Sequence, residues 1–259
     1  MKIFLPLILC TFLLACTDSS TESSQAATPT PVLDEAQKIV NRAVEKHGGS
    51  AYDNLSLAFD FRDRHYEGMR QAGKFEFKRL LKQEDGTALL DILDNERLIR
   101  KKNGEPVALS PKDSSAYANS VNSVFYFALL PYFLNDPAAN KNYLGQTEVK
   151  GQAYHKVKVT FQQEGGGKDF EDEFVYWIHA TDYTMDYLAY NYLTDGGGAR
   201  FREAYNVRTI EGIRFADYIN YKPEPDSRAV ENFDSLFEAG QMKELSRIDT
   251  ENIEVKVGL

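Results

Sequence analysis

Residues Val124–Leu134 read VFYFALLPYFL, an apolar run of 11 residues that contains Pro131. A helix that spans a bilayer needs about 20 apolar residues, so this run is too short and too interrupted to cross a membrane. A helix that is apolar on nearly all sides must instead be enclosed by protein. Because Ser110-Pro111 has the form of a helix N-cap and first turn, the sequence predicts an enclosed helix over Ser110–Leu134.

The residues on either side of this helix predict an antiparallel sheet. Asp34 is a candidate N-cap for a first helix that Gly48-Gly49 ends, and alternating strands follow from Leu55. The strand-like runs after the enclosed helix are Tyr154–Gln162, Phe170–His179, Met185–Thr194, Arg200–Arg208 and Ile213–Tyr221. A last helix near Val230–Ala239 precedes a strand near Ile248–Val257. Since helices do not alternate with the strands, the expected class is α+β with an antiparallel sheet.

Two of these strands carry apolar or aromatic residues on both faces. Along Met185–Thr194, one face has Met185, Tyr187, Ala189 and Leu193, and the other has Leu188, Tyr190 and Tyr192. A sheet wetted on one side shows a clean apolar and polar split, so both faces are expected to be covered. One face can pack on the helices, and the other can line a cavity or meet a partner. The alternative is that tyrosine simply favours strands.

The cavity interpretation gives a set of candidate ligand-lining residues, all of them aromatic. They are Phe125, Phe127, Phe133, Trp177, Tyr187, Tyr190 and Tyr192. Tyrosine suits such a half-wet surface because it combines an apolar body with a polar tip.

The N-terminus carries an export signal. Lys2 precedes the apolar run Ile3–Leu14, which has the length of a secretory signal core. Leu13-Leu14-Ala15-Cys16 resembles a bacterial lipobox, in which the cysteine receives diacylglycerol and becomes the new N-terminus. This predicts a signal peptide over residues 1–15 and a lipid anchor on Cys16. An ordinary signal peptide followed by a chance cysteine is the alternative.

The residues after Cys16 predict a spacer and then one domain. Thr17–Pro31 contains no aromatic and no large aliphatic residue, so it cannot offset the entropy of ordering. We therefore expect a lipidated cysteine and flexible tether over 16–31 and a single antiparallel-sheet domain over 32–259. The expected location is the cell envelope, at the outer membrane, with acyl chains on Cys16 as the membrane contact.

Composition excludes several other functions. The chain has a net charge of −9, whereas nucleic-acid binding calls for a basic patch. The same balance argues against electrostatic adsorption to anionic lipid. Cys10 leaves with the signal peptide and Cys16 is consumed by lipidation, so neither a disulfide nor a cysteine nucleophile is expected.

No motif for catalysis, metal binding or a cofactor is recognisable. The histidines lie outside any H-x-x-H or H-E-x-x-H context, and no G-x-S-x-G sequence occurs. The glycine runs Gly165-Gly166-Gly167 and Gly196-Gly197-Gly198 lie between strands, so they predict hairpin tips rather than phosphate loops. The acidic residues Asp169, Glu171, Asp172 and Glu173 alternate across a strand and predict a solvated edge. We therefore expect no cofactor.

Several stretches resemble an uncharacterised group of Bacteroidota lipoproteins in the LolA/LolB-like lipoprotein-carrier superfamily. They are Asn122–Leu134, Tyr143-Leu144-Gly145, Tyr154-His155-Lys156-Val157, Phe174-Val175-Tyr176-Trp177 and Phe215–Tyr221. The resemblance implies a curved antiparallel sheet, a half-barrel with helices on its concave face, and several members bind acyl chains or lipoproteins there. It implies no catalytic residue.

Three functions remain open from the sequence. The leading one is a non-catalytic envelope lipoprotein that binds a lipid or another hydrophobic ligand on the concave face of the sheet. The second is a structural or interaction lipoprotein with a filled core. The third is an envelope enzyme, although neither the strand–helix repeats of a (β/α)₈ aldolase nor a desolvated lysine is visible.

Overall fold

The computed structural model describes residues 34–162, 171–193, 196–224 and 226–258. The predicted signal peptide, Cys16 with the spacer up to Pro31, the turn Gly165-Gly166-Gly167 and Asp169 lie outside the described residues. The helices are α1 (Glu35–His47), α2 (Pro111–Ala128) and α3 (Phe233–Glu238), with 3-10 turns at Gly49–Asp53, Tyr132–Asn135 and Val230–Asn232. The strands are β1 (Leu55–Phe61), β2 (Arg64–Gln71), β3 (Lys74–Lys82), β4 (Ala88–Asp94), β5 (Leu98–Lys102), β6 (Glu105–Pro106), β7 (Ala139–Val149), β8 (Gln152–Phe161), β9 (Phe174–His179), β10 (Met185–Tyr192), β11 (Gly198–Ile210), β12 (Ile213–Pro223), β13 (Met242–Ile248) and β14 (Glu251–Val257).

The described strands form two seven-stranded antiparallel sheets. The first sheet has the order β14-β1-β2-β3-β4-β5-β6, and the second has the order β13-β12-β11-β10-β9-β8-β7. The chain passes from the second sheet to the first in the turn between β13 and β14. Asp217 fixes this turn, because its Oδ1 accepts a hydrogen bond from the backbone N–H of Thr250 at 2.9 Å. The predicted α+β class with an antiparallel sheet is confirmed, and the described strands form two such sheets rather than one.

Helix α1 packs its apolar stripe against the second sheet. The carboxylate of Asp34 accepts a hydrogen bond from the N–H of Gln37 at 2.7 Å and caps the helix, as predicted. Ile39, Val40 and Ala43 are buried at the spacing expected for one helix face. They join the cluster of apolar residues beneath β8, β9 and β10.

Helix α2 lies between the two sheets and contacts both. Phe125 is fully buried against the first sheet, with its ring stacked on Phe77 at a centroid distance of 4.0 Å. On the other side, the ring of Phe127 lies 5.5 Å from that of Tyr190 on β10. Gly68 on β2 permits the close approach, because a Cβ there would lie 2.6 Å from the Phe125 ring. Strands therefore enclose the apolar run, as predicted.

The enclosed segment is not one helix. Helix α2 ends at Ala128, and a separate 3-10 turn covers Tyr132–Asn135. Pro131 explains the break, since proline has no N–H to donate and its ring clashes with the preceding turn. No helix among the described residues is long and apolar enough to cross a membrane.

Both faces of the second sheet are covered, as predicted. Phe174, Tyr176 and Ile178 of β9 face the α1 side, and Val175 and Trp177 face the opposite side. There they pack with residues of α3 and of the preceding 3-10 turn, namely Val230, Phe233, Leu236 and Phe237. The face turned away from α1 is thus closed by the segment 230–238.

Some boundaries differ from the sequence prediction. The expected strand near Ile248–Val257 is β14, which begins at Glu251, and the preceding β13 (Met242–Ile248) is an additional strand that belongs to the other sheet. Strand β13 reads MKELSRI and is mostly exposed, so it carries no alternating apolar signal. Strand β9 begins at Phe174, four residues after the predicted start.

Candidate functional site

A cleft of about 500 Å³ opens beside α2, between the two sheets. One wall is α2, from Ser120 to Ala128, and the others are β1 and β2 of the first sheet and β10, β11 and β12 of the second. We call it the arginine cleft, because Arg62, Arg64, Arg200 and Arg202 all line it. Ile248 and Thr250, at the crossing from one sheet to the other, complete the lining.

Aromatic rings from α2 and β10 form one side of the arginine cleft. The Phe127 and Tyr190 rings lie 5.5 Å apart, and the Tyr190 and Tyr192 rings 6.1 Å apart. Behind them, Phe174 stacks on Tyr190 at 5.7 Å and holds that ring in place. Such contacts between rings favour a fixed geometry beyond their buried area.

Arg202 lies against this aromatic surface. The side chain is 9% exposed, and its guanidinium carbon lies 4.1 Å from the centroid of the Phe127 ring. Its Nη2 donates a hydrogen bond to the hydroxyl oxygen of Tyr190 at 2.8 Å. A guanidinium stacks well on aromatic faces because it is planar and weakly hydrated. The rings therefore fix the position and the plane of a buried positive charge.

Strand pairing places a polar row next to the aromatic one. Arg202 on β11 lies directly opposite Asn220 on β12, and Arg200 lies directly opposite Tyr190 on β10. Directly opposite residues of an antiparallel pair point to the same face with Cβ atoms about 5 Å apart. Arg200 donates from Nη1 to the carbonyl of Ala199 at 2.8 Å. The period of two along β11 thus brings both arginines into the cleft.

Three buried polar atoms of the cleft lining have no hydrogen-bond partner in the described part of the chain. They are Nε of Arg64, Nε of Arg202 and Oδ1 of Asn220. The fourth such atom in the described residues, Nε1 of Trp177, lies away from the cleft. Buried polar groups in folded proteins are hydrogen-bonded in the large majority of cases. Nε of Arg64 lies 3.6 Å from Oδ1 of Asp63. The cleft atoms left without a partner among the described residues are therefore Nε of Arg202 and Oδ1 of Asn220, and they indicate a place where a ligand or solvent completes the bonding.

The lining of the arginine cleft is positively charged, whereas the chain as a whole is negative. The protein has a net charge of −9, yet the described residues that line the cleft include four arginines and neither aspartate nor glutamate. Tyr218 also lines it, and burial raises the pKa of its phenol above the usual value. That hydroxyl stays neutral, so the cleft is positive at neutral pH.

The structure brings together three of the seven predicted lining residues. Phe127, Tyr190 and Tyr192 all line the arginine cleft. Phe125 lies two residues before Phe127 on the opposite side of α2, and its side chain is fully buried in the core of the first sheet. Phe133 lines a separate cavity of about 700 Å³, where the guanidinium of Arg70 lies 5.4 Å from its ring.

The other two predicted residues lie on the far side of the second sheet. Trp177 is fully buried and Tyr187 is 6% exposed, both within the cluster beneath α3. A register shift between Met185 and Tyr187 changes the alternation at the start of β10. Met185 therefore faces the α1 side with Leu188, whereas Tyr187 and Ala189 face α3.

Sequence reasoning missed the arginines of the cleft. Arg200 and Arg202 alternate with apolar residues along their strand, a pattern also produced by an ordinary solvated face. The sequence contains one indication that these arginines lie on an enclosed face, because Tyr190 and Tyr192 on the neighbouring strand predict such a face. Within residues 34–162, 171–193, 196–224 and 226–258, the structure shows no group of three or more histidine, cysteine, aspartate or glutamate side chains that could hold a metal ion.

Comparison with known proteins identifies a family. Residues 1–250 match DUF6503, a family of unknown function. The chain belongs to this family. A search of curated proteins gave no match.

The fold is similar to several solved structures at low sequence identity. A LolA superfamily protein from Nitrosomonas europaea is 10% identical with a TM-score of 0.46, covering 85% of this chain and 92% of that chain. A DUF1329 family protein from Desulfovibrio piger is 12% identical with a TM-score of 0.44, covering 88% and 95%. The Mycobacterium tuberculosis lipoprotein LppX is 10% identical with a TM-score of 0.28, covering 62% and 88%. At these identities and TM-scores the similarities assign no ligand to this chain.

Proposed function

We propose that this protein is a non-catalytic lipoprotein of the cell envelope that holds a hydrophobic ligand in the arginine cleft. The observation that carries the proposal is the cleft itself, about 500 Å³ between α2 and both sheets. Small-molecule sites are concave, mostly apolar and about 300–1,000 Å³ in volume, with a few placed polar groups. The aromatic side formed by Phe127, Tyr190 and Tyr192 supplies the apolar contact.

The chemistry of the lining favours binding over catalysis. The described lining residues include no carboxylate, histidine or cysteine side chain. General acid–base and nucleophilic catalysis draw mainly on those groups. Ser120 and Ser123 line the cleft, but Ser120 accepts a hydrogen bond from Arg79 rather than donating to a base. The aromatic and arginine side chains that line the cleft are suited to binding a ligand.

The proposal includes a lipid anchor at Cys16 and a tether up to Pro31. The apolar run ending in Leu13-Leu14-Ala15-Cys16 supports it. Two or more acyl chains hold a protein stably at a membrane, whereas a single chain gives marginal binding. We expect Cys16→Ser to stop incorporation of labelled palmitate and to release the chain from membranes. Unchanged labelling in that variant would show that Cys16 is not the acylated residue.

Ligand binding is tested with a fluorescent fatty-acid probe and the full chain carrying Cys16→Ser, which removes the proposed anchor. Saturable binding to the wild-type cleft, weakened by Phe127→Ala and unchanged by Phe237→Ala in α3, supports the proposal. Native mass spectrometry of the same protein would report any lipid that co-purifies. No saturable binding and no co-purified lipid would favour the alternative, a structural or interaction lipoprotein that acts through its outer surface.

A further inference from the structure

We propose that the arginine cleft selects an amphiphile whose head group is a carboxylate or a phosphate, with Arg202 as the residue that recognises the acid. The inference rests on the proposed function, because it names the class of ligand held in the same cleft. The apolar body would lie along Phe127 and Tyr190, and the acid would meet the guanidinium beside them.

Arg79, the other buried arginine of the described residues, pairs with Asp91 at 2.7 Å. Arg100, Arg208 and Arg214 are partly buried and also pair with carboxylates, namely those of Asp91, Asp217 and Asp186, at 2.6–3.1 Å. Arg202 is 9% exposed and forms no ion pair with any described residue. Its partners are a phenol and two aromatic rings.

Leaving the buried charge of Arg202 without an anion is costly. Arginine stays protonated in proteins, so the group cannot become neutral in response to burial. Burying a charge without an ionic partner is expensive, and stacking on a ring offsets only part of the cost. A bound anion removes this cost. Arginine also suits a carboxylate or phosphate because its planar fork can donate two parallel hydrogen bonds.

The geometry of the unpaired Nε atom of Arg202 also favours an acid. Nε of Arg202 is buried and unpaired in the described structure, and Nη2 already bonds Tyr190. Nε therefore offers a donor on the edge of the guanidinium that is used in side-on recognition of an oxyanion. The acid of the ligand is thus placed beside Arg202 on β11.

The remaining arginines make the same face attractive to an anion. Arg62 and Arg64 line the cleft from the first sheet, and Arg200 lines it from the second. A concave surface lined by one sign of charge concentrates ligands of the opposite sign and speeds their association. This local positive field sits on a chain with a net charge of −9, so the acid would be drawn to this cleft rather than to the rest of the surface.

The test compares ligands that share a chain and differ in the head group. Laurate, lauryl phosphate and lauryl alcohol are titrated into the full Cys16→Ser chain by displacement of the fluorescent probe, at a pH where laurate is ionised. We expect at least one of the acids to bind about tenfold or more tightly than the alcohol, the ratio typical of a hydrogen bond to a charged group. Inorganic phosphate and acetate alone are expected to displace nothing at the same concentrations.

Arg202→Gln should remove the preference between acid and alcohol while leaving the alcohol affinity close to that of the wild type. Arg97→Gln, an exposed arginine in the turn between β4 and β5, changes the net charge equally and should preserve the preference. The acid-to-alcohol ratio in the wild type needs no variant, so it decides the question even if Arg202→Gln folds poorly.

The possible failures are distinguishable. Equal binding of the acids and the alcohol would overturn this inference and leave the proposed function standing. Binding of inorganic phosphate as tightly as lauryl phosphate would also overturn it, because the site would then take a free anion. If none of the three lauryl compounds binds, the proposed function fails and this inference fails with it.

Discussion

The first sheet buries Arg79 against a carboxylate, whereas the second sheet buries Arg202 against aromatic rings. Asp91 is fully buried and accepts hydrogen bonds from Arg79 at 2.7 Å and from Arg100 at 2.6 Å. Arg202 has the ring of Phe127 and the hydroxyl of Tyr190 instead. Both sites lie against α2, so the same helix covers a closed ionic cluster and an open cleft.

The contrast separates a charge that stabilises the fold from a charge that is free for recognition. Burial alone would raise the pKa of Asp91, but the hydrogen bonds and charges of Arg100 and Arg79 outweigh it and hold that pKa below the usual value. Every oxygen of this carboxylate is occupied, and Tyr117 of α2 covers Arg100 at 3.4 Å. The carboxylate of Asp91 therefore has no free oxygen with which a ligand could interact.

The largest effect is expected from Asp91→Asn. The substitution keeps the shape of the side chain but leaves two largely buried guanidinium groups without their anion. Breaking a buried ion pair by removing one partner typically costs about 3–5 kcal/mol. Urea unfolding of the variant should therefore show a free energy of unfolding lower by that amount.

The matched control for Asp91→Asn is Asp63→Asn, on the turn between β1 and β2. Its side chain is 75% exposed and lies 3.6 Å from Nε of Arg64. Exposed substitutions of this kind usually change stability by no more than about 0.5 kcal/mol. Similar losses in the two variants would mean that the Asp91 cluster is not the ionic centre that the contacts indicate.

The next comparison is between two phenylalanines of α2 that lie two residues apart. Phe125 is fully buried among Phe59, Tyr66 and Phe77, so Phe125→Ala should cost about 3–5 kcal/mol. Phe127 is half-buried at the cleft, so Phe127→Ala should cost about 1–2 kcal/mol in the protein without ligand.

Binding of the fluorescent fatty-acid probe completes this comparison. Among the variants that remain folded, only Phe127→Ala should bind the probe more weakly. Unfolding curves and probe titrations on the same preparations give both quantities. A loss of stability at Phe127 as large as that at Phe125 would indicate that the cleft is packed core. In that case the interaction-lipoprotein alternative would be preferred.

The sequence predicted the enclosure of the apolar run and the covering of both faces of the second sheet. Alternation identifies which residues share a face, but it does not say which face α3 will close. Trp177 and Tyr187 were therefore grouped with Tyr190, although they lie on the other side of the sheet. The register shift after Met185 also lies beyond a period-of-two argument. Arg202 was missed because its burial depends on Phe127, a residue distant in sequence.

His47 offers a third case, a buried titratable group that stays neutral. Burial, and then the nearby charge of Arg214, lowers its pKa to about 3. Nδ1 bonds the carbonyl of Ala43 at 2.8 Å, and Nε2 accepts a hydrogen bond from the N–H of Met185 at 3.2 Å. The unfolded chain therefore binds a proton at His47 at higher pH than the folded chain does. Stability from this group is complete above about pH 6.5 and is lost as the pH falls towards about 3.

His47→Gln keeps an acceptor for Met185 and removes the titration. We expect the difference in unfolding free energy between wild type and variant to change with pH by up to about 1.4 kcal/mol per unit below about pH 6.5. A wild-type slope that persists in His47→Gln would show that His47 is not the responsible group.

The smallest change in stability is expected at the site that matters most for binding. Arg202→Met replaces an unpaired buried charge with an apolar side chain of similar length, which can also pack on the rings of Phe127 and Tyr190. Because well-packed apolar residues often replace buried charges at no loss, the free energy of unfolding should change by less than about 1 kcal/mol and in either direction. The hydroxyl of Tyr190 loses one donor, but it borders the cleft and can turn to solvent.

Urea unfolding of Arg202→Met and of Asp91→Asn under the same conditions therefore compares the two kinds of buried charge most directly. A loss of 3–5 kcal/mol at Arg202, as expected for a broken buried ion pair, would make it a structural charge like Arg79 and would remove the reason for assigning it to a ligand.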